Sequence, residues 1–488
     1  MSPRIPLCVI VLAACAKAPA APPDLVASPD PRPDIVFVLA DDLDVAEMAD
    51  LPRIQALVGD AGATFLNDFV SLSLCCPSRC TTLTGKYAHN TGVFSNGGSK
   101  GGFERFHAQG EEHTIATELA AAGYRTGMFG KYLNGYPNRK EANWVPPGWS
   151  EWFGVGGVHG YAEYDYDVNH NGAREHFGRA EGDYLVDVLR DRVAEFLGAA
   201  GGHPAFAWVA PQVPHTPAVA APRYKGRFAG RTAPRTPNFD EADISDKADP
   251  LAARQRLSPK AIGAIDDLYR RRLASSLALE DLVQRVVDVQ TARGRMANTW
   301  LVFASDNGFH LGHHRMARGK ETEFEEDLRV PMLVRGPGVA AGSRVESLTV
   351  NTDLASTFAE MAGLPGMPGA DGRSWLGLVT GHAPGTWRDA FLIERAGQPP
   401  EEPESEGRHP ARQPAFAGIR TTTLKYVEFE SGQSELFDLE ADPYELENVA
   451  GTRAADVAAL SARLSVLRAC AEEGCRDAEN PQQAGAVQ

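Results

Sequence analysis

The chain's hydrophobic pattern predicts an α/β protein: a large, mostly parallel sheet flanked by helices, then a smaller C-terminal antiparallel sheet with a helix. Two observations carry this. Short, wholly apolar runs such as DIVFVLA, AFAWVA and TWLVFA alternate with amphipathic stretches at helical spacing, as in βαβ units. After residue 375 the rhythm changes to closely spaced short strands with turns between them.

In order, the predicted elements of the large unit are a strand at 34–40, a helix at 115–122 and a strand at 124–130. A helix at 184–197, a strand at 205–210 and a long helix at 268–292 follow. Strands at 299–304 and 330–335 and a helix at 348–362 complete it. The smaller unit reads as strands at 390–394, 416–420, 425–429 and 435–438 with a terminal helix at 452–471. Residues 398–414, rich in Pro and Glu, read as an exposed loop. The expected organisation is therefore residues 1–15 as a leader, 16–33 as a tether, 34–375 as the main domain and 376–488 as a smaller α+β subdomain.

The leader has Arg4 followed by an apolar run, Ile5 to Ala14, too short to span a bilayer. It ends Leu12-Ala13-Ala14-Cys15, which resembles the bacterial lipoprotein box. Export is therefore expected, with a lipid on Cys15 anchoring the protein in the periplasm or at the outer membrane or cell surface; the alternative is an ordinary cleaved leader. Lys17 to Pro33, rich in Ala and Pro, reads as an extended spacer. Cys470 and Cys475 can close a small disulfide loop in an oxidising compartment. The remaining trio, Cys75, Cys76 and Cys80, lacks C-x-x-C spacing and a partner cluster, which argues against zinc or iron–sulfur. Net charge of −16 excludes a general nucleic-acid binder and confines positive charge to a local pocket.

In an open parallel sheet, ligands bind at the carboxyl ends of the strands. The residues that follow the apolar runs are Asp41 and Asp42, then Lys131, then Pro211 to His215, then Asp306 and Asn307. Three carboxylates and an amide oxygen form a hard donor set, suited to Ca²⁺ or Mg²⁺. With Lys131, His215 and Lys320 added, the set reads as a site for a tetrahedral oxyanion ester.

Residues 75–85 read CCPSRCTTLTG, which resembles the sulfatase signature C-x-P-S-R-x-x-x-L-T-G at every fixed position. Segments similar to sulfatase segments recur in family order over about residues 33–450, from IVFVLADD to ELFDLEADPYELENVA. LTGKYAHN and GKYLN are similar to the N-acetylglucosamine-6-sulfatase and heparan endosulfatase branch. The resemblance implies an alkaline-phosphatase-like sulfatase fold and a formylglycine made from Cys75 by a formylglycine-generating enzyme. A hydrated aldehyde has two hydroxyls: one takes the sulfate, and the other, once deprotonated, collapses to the carbonyl and expels it. A serine lacks that second hydroxyl. The resemblance further implies calcium held by Asp41, Asp42, Asp306, Asn307 and residue 75. Arg79 supports the nucleophile, Lys131 and Lys320 hold sulfate oxygens, and His215 serves the leaving sugar oxygen. Many arylsulfatases carry a histidine where this chain has Leu133, so the base for the hydrate is open, with His89 and His310 as candidates. The implied substrate is a sulfated sugar or glycan, in particular 6-O-sulfated N-acetylglucosamine at a chain end. The rivals are a phosphonate or phosphate ester hydrolase of the same superfamily and a non-enzymatic sulfoglycan-binding lipoprotein.

Overall fold

A computed structural model of the chain describes residues 30–138, 141–156, 158–397 and 414–480. The expected leader, most of the tether and the loop at 398–413 lie outside the described residues.

Twelve strands belong to the large unit: β1 (Asp34–Ala40), β2 (Ala63–Phe65), β3 (Asp68–Phe69), β4 (Arg125–Lys131), β5 (Glu151–Gly156), β6 (Tyr166–His170), β7 (Ala173–Phe177), β8 (Ala205–Ala210), β9 (Thr299–Ser305), β10 (Met332–Arg335), β11 (Ser343–Val345) and β12 (Thr349–Val350). Ten form one sheet in the order β11-β2-β10-β9-β1-β8-β4-β5-β6-β7; β3 and β12 pair separately. The five central strands, β9-β1-β8-β4-β5, are all parallel, and only β10 and β6 run against the rest.

Both faces of the sheet are covered, which explains why its central strands are apolar without alternation. From β1, Ile35, Phe37 and Leu39 enter a core with Leu83 of helix Cys75–Thr84, Leu119 of helix Ile115–Ala121 and Phe358 of helix Asp353–Met361. Val36, Val38 and Ala40 point the other way, against Leu189 of helix Leu185–Gly198 and Leu282 of helix Pro259–Ala292.

The small unit is the meander β13 (Ala390–Arg395), β14 (Phe416–Thr421), β15 (Leu424–Phe429) and β16 (Ser434–Asp438). One face packs on Leu460, Leu464 and Leu467 of helix Ala454–Leu467. The other face presents Phe391, Ile393 and Val427 to Phe69, Leu328 and Val350 of the large unit. Cys470 and Cys475 are disulfide-bonded.

Several boundaries differ from expectation for local reasons. The long helix begins nine residues before Leu268, at Pro259, where the Ser258 side chain accepts the Ala261 N–H at 3.2 Å. Ser-Pro is a helix-start pair, but the first turns bury little, so apolar periodicity missed them. The strand expected from Val330 begins at Met332, after Pro331, which has no N–H to give. Residues 349–350 are extended, and the helix expected from 348 starts at Asp353, whose carboxylate accepts the Val350 N–H at 3.1 Å. The β6–β7 hairpin turns at Asn171-Gly172, both with positive φ, an Asn-Gly signal that the strand prediction left unused.

Among the described residues, no helix is long and apolar enough to cross a membrane.

Candidate active site

The strands that carry the expected site residues, β9, β1, β8 and β4, are four consecutive neighbours, so their carboxyl ends share one rim. β1 delivers Asp41 and Asp42. The Asp42 backbone is left-handed, at φ 68°. Its N–H donates to Asp306 Oδ1 at 3.0 Å, and its carbonyl accepts from Arg272 Nη2 at 2.5 Å. Arg272 is itself held by Glu47, at 2.8 and 2.7 Å, and lies over the Phe309 ring. At the end of β9, the Ser305 hydroxyl accepts the Leu43 N–H and donates to the Asn307 carbonyl, fixing the Asp306-Asn307 turn to the β1 loop. Lys131 closes β4 after Gly130, where a Cβ would lie 2.1 Å from the Ala210 carbonyl oxygen of β8, so only glycine fits.

The segment that resembles the sulfatase signature forms helix Cys75–Thr84, buried along its whole length. The helix starts at Cys75 itself, two residues before Pro77, so Cys75 occupies its first turn, at the positive end of the helix dipole. Arg79, one turn on, reaches back under Cys75. Its Nε donates to Asp306 Oδ2 at 2.8 Å and its Nη1 to the Lys131 carbonyl at 2.9 Å, and Nη2 lies 3.8 Å from Asp41 Oδ2.

Two ammonium groups flank Cys75. Lys320 Nζ is 2.8 Å from Cys75 Sγ and 2.6 Å from Asp42 Oδ1. Lys131 Nζ is 3.0 and 2.7 Å from the two oxygens of Asp41. Cys75 Sγ is 3.5 Å from Asp41 Oδ1. His215 Nδ1 is 2.8 Å from the Thr216 carbonyl, which makes it the protonated nitrogen and turns Nε2 toward Asp42 Oδ2, 4.0 Å away. Tyr161 stacks on the His215 ring.

Burial dominates the electrostatics. It pushes the Cys75 thiol well up, against the pull of Lys131 and Lys320. It drives His215 well below its ordinary range, with Lys320 and Lys131 adding to the effect. Burial also opposes the Lys131 charge, but Asp41 and Cys75 outweigh it and hold that group well above the usual lysine range.

The site fits a divalent cation. Oxygens of Asp41, Asp42 and Asp306 lie within 4.8 Å of one another. Asp42 Oδ2 and Asn307 Oδ1 are buried without a hydrogen-bond donor among the described residues, a costly state for polar atoms unless a cation takes them. The three carboxylates balance Arg79, Lys131 and Lys320, so a divalent ion leaves net positive charge for an anionic ester.

The structure thus brings together Asp41, Asp42, Cys75, Arg79, Lys131, His215, Asp306, Asn307 and Lys320. It does not bring His89 there. That ring sits between Glu394 (3.1 Å) and the Cys470 carbonyl (3.0 Å), so both nitrogens are committed to the C-terminal unit. His310 is bonded through Nδ1 to Asp327 at 3.0 Å, and its backbone pairs with Gly319 beside Lys320; among the described residues its Nε2 has no hydrogen-bond partner, so no such bond joins it to Cys75. Leu133 is buried in the apolar core. Sequence reasoning missed Arg272 and Tyr161. Arg272 has a signal, a charged residue on the apolar face of a long helix beside Leu268 and Leu273; Tyr161 has none.

Comparison with known proteins agrees with this geometry. The Sulfatase family model matches residues 33–364, and a model described as N-sulphoglucosamine sulphohydrolase, C-terminal, matches residues 312–469. The N-acetylglucosamine-6-sulfatase of Homo sapiens is 33% identical over 485 residues, 92% of this chain and 87% of that protein. An extracellular sulfatase SULF-1 homolog of Drosophila melanogaster is 36% identical over 75% of this chain, but the match spans only 33% of that longer protein. Among solved structures, one in complex with its substrate D-glucosamine-2-N,6-O-disulfate has a TM-score of 0.74 at 23% identity, covering 91% of this chain and 98% of that one. A phosphonate monoester hydrolase of Agrobacterium radiobacter has a TM-score of 0.72 at 23% identity, covering 90% and 96%. At such identities these two share the fold. With a family model over more than half its length, and relatives a third identical along nearly all of it, the chain belongs to the sulfatase family, enzymes that hydrolyse sulfate esters.

Proposed function

We propose that the protein hydrolyses the 6-O-sulfate of N-acetylglucosamine-type sugars at a glycan's end, using formylglycine at position 75 and a bound calcium ion. The observation that carries this reading is the setting of Cys75: first turn of a buried helix, an ammonium at 2.8 Å, and a carboxylate cluster beside it. Burial keeps the unmodified sulfur a neutral thiol, its poorly nucleophilic form. The hydrated aldehyde implied by the signature would supply a hydroxyl to attack sulfur and a second one to release sulfate.

The carboxylates of Asp41, Asp42 and Asp306 and the amide oxygen of Asn307 would hold the cation. These are hard donors that suit calcium, or magnesium. The ion would supply positive charge to the sulfate and to the attacking oxygen. Arg79 touches Asp306 and Asp41 and acts by holding them in place. Lys131 and Lys320 stand on either side of position 75, each tied to a carboxylate, and are positioned to take sulfate oxygens as charge shifts onto them. With Nδ1 held by the Thr216 carbonyl, His215 would turn Nε2 toward the departing sugar oxygen, and would give it a proton only from the doubly protonated ring, a state that burial disfavours.

Relatives named N-acetylglucosamine-6-sulfatase, matching over nine-tenths of this chain, support the sugar, as does a structural neighbour whose substrate bears a 6-O-sulfate. A chain with net charge −16 and its site cations buried suits one sulfated residue at a chain end better than a polysulfated polymer gripped from within. The test assays formylglycine-containing enzyme on monosulfated mono- and disaccharides and on aryl sulfate against aryl phosphonate. The 6-sulfate of N-acetylglucosamine should be fastest. Preference for a 2-, 3- or 4-sulfate rejects the sugar, and preference for phosphonate rejects sulfate. The reading includes export as a lipoprotein held by Cys15, which the Cys470–Cys475 disulfide supports as the mark of an oxidising compartment. Cys15→Ala should release the protein from membranes.

A further inference from the structure

We infer that Asn96 is a further substrate-binding residue, whose side-chain amide donates a hydrogen bond to a terminal oxygen of the sulfate group at position 75. This rests on the hydrolytic site proposed above and adds to it a donor that carries no charge. Asn96 Oδ1 accepts the Cys76 N–H at 3.0 Å. Only an oxygen can face that N–H, so the carboxamide has one orientation, with Nδ2 as its free end. Cys76 follows residue 75 directly, so this carboxamide stands one peptide from the reacting side chain. Among the described residues Nδ2 has no acceptor, and Asn96 is only half-buried, so a ligand can reach it. Lys131 and Lys320, by contrast, are already shared with Asp41 and Asp42.

The bond from Cys76 also prepares the amide. A carboxamide whose oxygen accepts a hydrogen bond is a stronger donor at its nitrogen. The positive end of helix Cys75–Thr84 is in this way passed on to Nδ2. That polarity suits an anionic acceptor, and the anionic group of the substrate is the sulfate.

The loop that carries Asn96 is fixed to both flanks of the site. The Phe94 N–H donates to the Lys100 carbonyl at 2.7 Å and the Gly102 N–H to the Ser95 carbonyl at 2.9 Å, which closes residues 94–102 on themselves. A Cβ on Gly101 would overlap the Ser95 carbonyl, and Gly102 turns the chain at φ 72°. On one flank Phe94 packs on Leu72 and Leu74, the segment that leads into Cys75. On the other, the Phe103 N–H donates to the carbonyl of Asn134 at 2.8 Å, three residues beyond Lys131. A donor held this firmly loses little freedom when it binds.

Two variants separate the donor from the helix anchor. Asn96→Ala removes both and stays neutral. Asn96→Asp keeps an oxygen for the Cys76 N–H, at a helix end that favours a carboxylate, and removes the N–H donor. Losing a hydrogen bond to a charged group costs about tenfold to a hundredfold in affinity. Calorimetric titration of inorganic sulfate into the calcium-loaded enzyme should show a loss of that size in Asn96→Ala and at least as large a loss in Asn96→Asp. Only Asn96→Ala should lower Tm. The values of kcat/KM should fall by a similar factor on 6-O-sulfated N-acetylglucosamine and on 4-nitrophenyl sulfate, which have only the sulfate in common.

An Asn96→Asp protein with wild-type sulfate affinity and activity would leave the residue only its anchoring role and overturn the inference. Loss confined to the sugar sulfate, with inorganic sulfate bound as in wild type, would overturn it in favour of a contact to the sugar. Wild-type behaviour in Asn96→Ala would overturn it outright, while the hydrolytic reading stands. If wild-type enzyme shown by mass spectrometry to carry the aldehyde hydrolyses neither ester, the hydrolytic reading falls and the role of Asn96 falls with it.

Discussion

Replacing Arg272 by Met should separate stability from activity at this site. Arg272 and Glu47 are both wholly buried and joined by two hydrogen bonds, and Arg272 also holds the Asp42 carbonyl at 2.5 Å. Removing the guanidinium strands the Glu47 carboxylate in the core, a change that costs about 3–5 kcal/mol. At about 2 °C per kcal/mol for a large domain, Tm should fall by about 6–10 °C. In the double variant Glu47→Leu/Arg272→Met no charge is left unpaired, so most of that loss should return. Activity should not return with it. The Asp42 carbonyl still lacks its donor, which leaves that peptide the Leu43 N–H bond to Ser305, in a left-handed residue whose carboxylate faces Lys320 and Asn307. Calorimetry on the four proteins of the cycle, with kcat/KM from released sulfate, makes the comparison. An unchanged Tm in Arg272→Met would refute the pair's contribution, and a double variant that regains activity would refute the positioning of Asp42.

Cys75→Ala should abolish turnover at near-native Tm, and Cys75→Ser should release at most one equivalent of sugar per enzyme; mass spectrometry of the peptide bearing residue 75 shows whether the wild type carries aldehyde or thiol. Elemental analysis should find calcium or magnesium near stoichiometric, and Asp306→Ala should lose it; stoichiometric zinc without an alkaline-earth ion contradicts the ligand set. Burial lifts the Asp68 carboxyl to about 7, with Asp353 adding to the shift and Thr349 and Arg388 opposing it. The folded state therefore keeps a proton that the unfolded chain releases near pH 4, as expected for a free carboxyl at about 3.9. The stability from that proton is full below about pH 4 and is lost as pH rises through about 7. Tm should fall across this window, and Asp68→Asn should flatten the fall.

The rim residues were legible because each follows an apolar run that can only be a buried strand, and strand ends converge in a parallel sheet. The sequence does not reveal which strands are neighbours: β1 sits between β8 and β9, which are distant along the chain, and no local pattern encodes that. Lys320 lies on a loop with no strand end to place it, so its pairing with position 75 was legible only through the resemblance. His89 misled because a histidine just after the nucleophile helix is close in sequence, while the fold turns it toward Glu394. Tyr161 was illegible as a site residue, and Arg272 showed only as a charge on an apolar helix face, because their partners, His215, Glu47 and the Asp42 carbonyl, are contacts of tertiary packing. The short strands β2, β11 and β12 are two or three residues long, too short for any periodicity to register.

Under the proposed oxidation of Cys75, its complete burial imposes an order of events on the making of the protein. An enzyme that oxidises this side chain needs it in hand, and in the finished fold it is covered. The cover depends on β1 gaining β9, whose first residue is synthesised roughly 220 residues after Cys75. At about 5–20 residues per second, that leaves about 10–45 s in which residue 75 exists and its final surroundings do not. A chain that emerges and folds without meeting the modifying enzyme would be native in shape, stable and catalytically silent. The active fraction of a preparation then records a race between two processes, and it should rise when chain elongation is slowed.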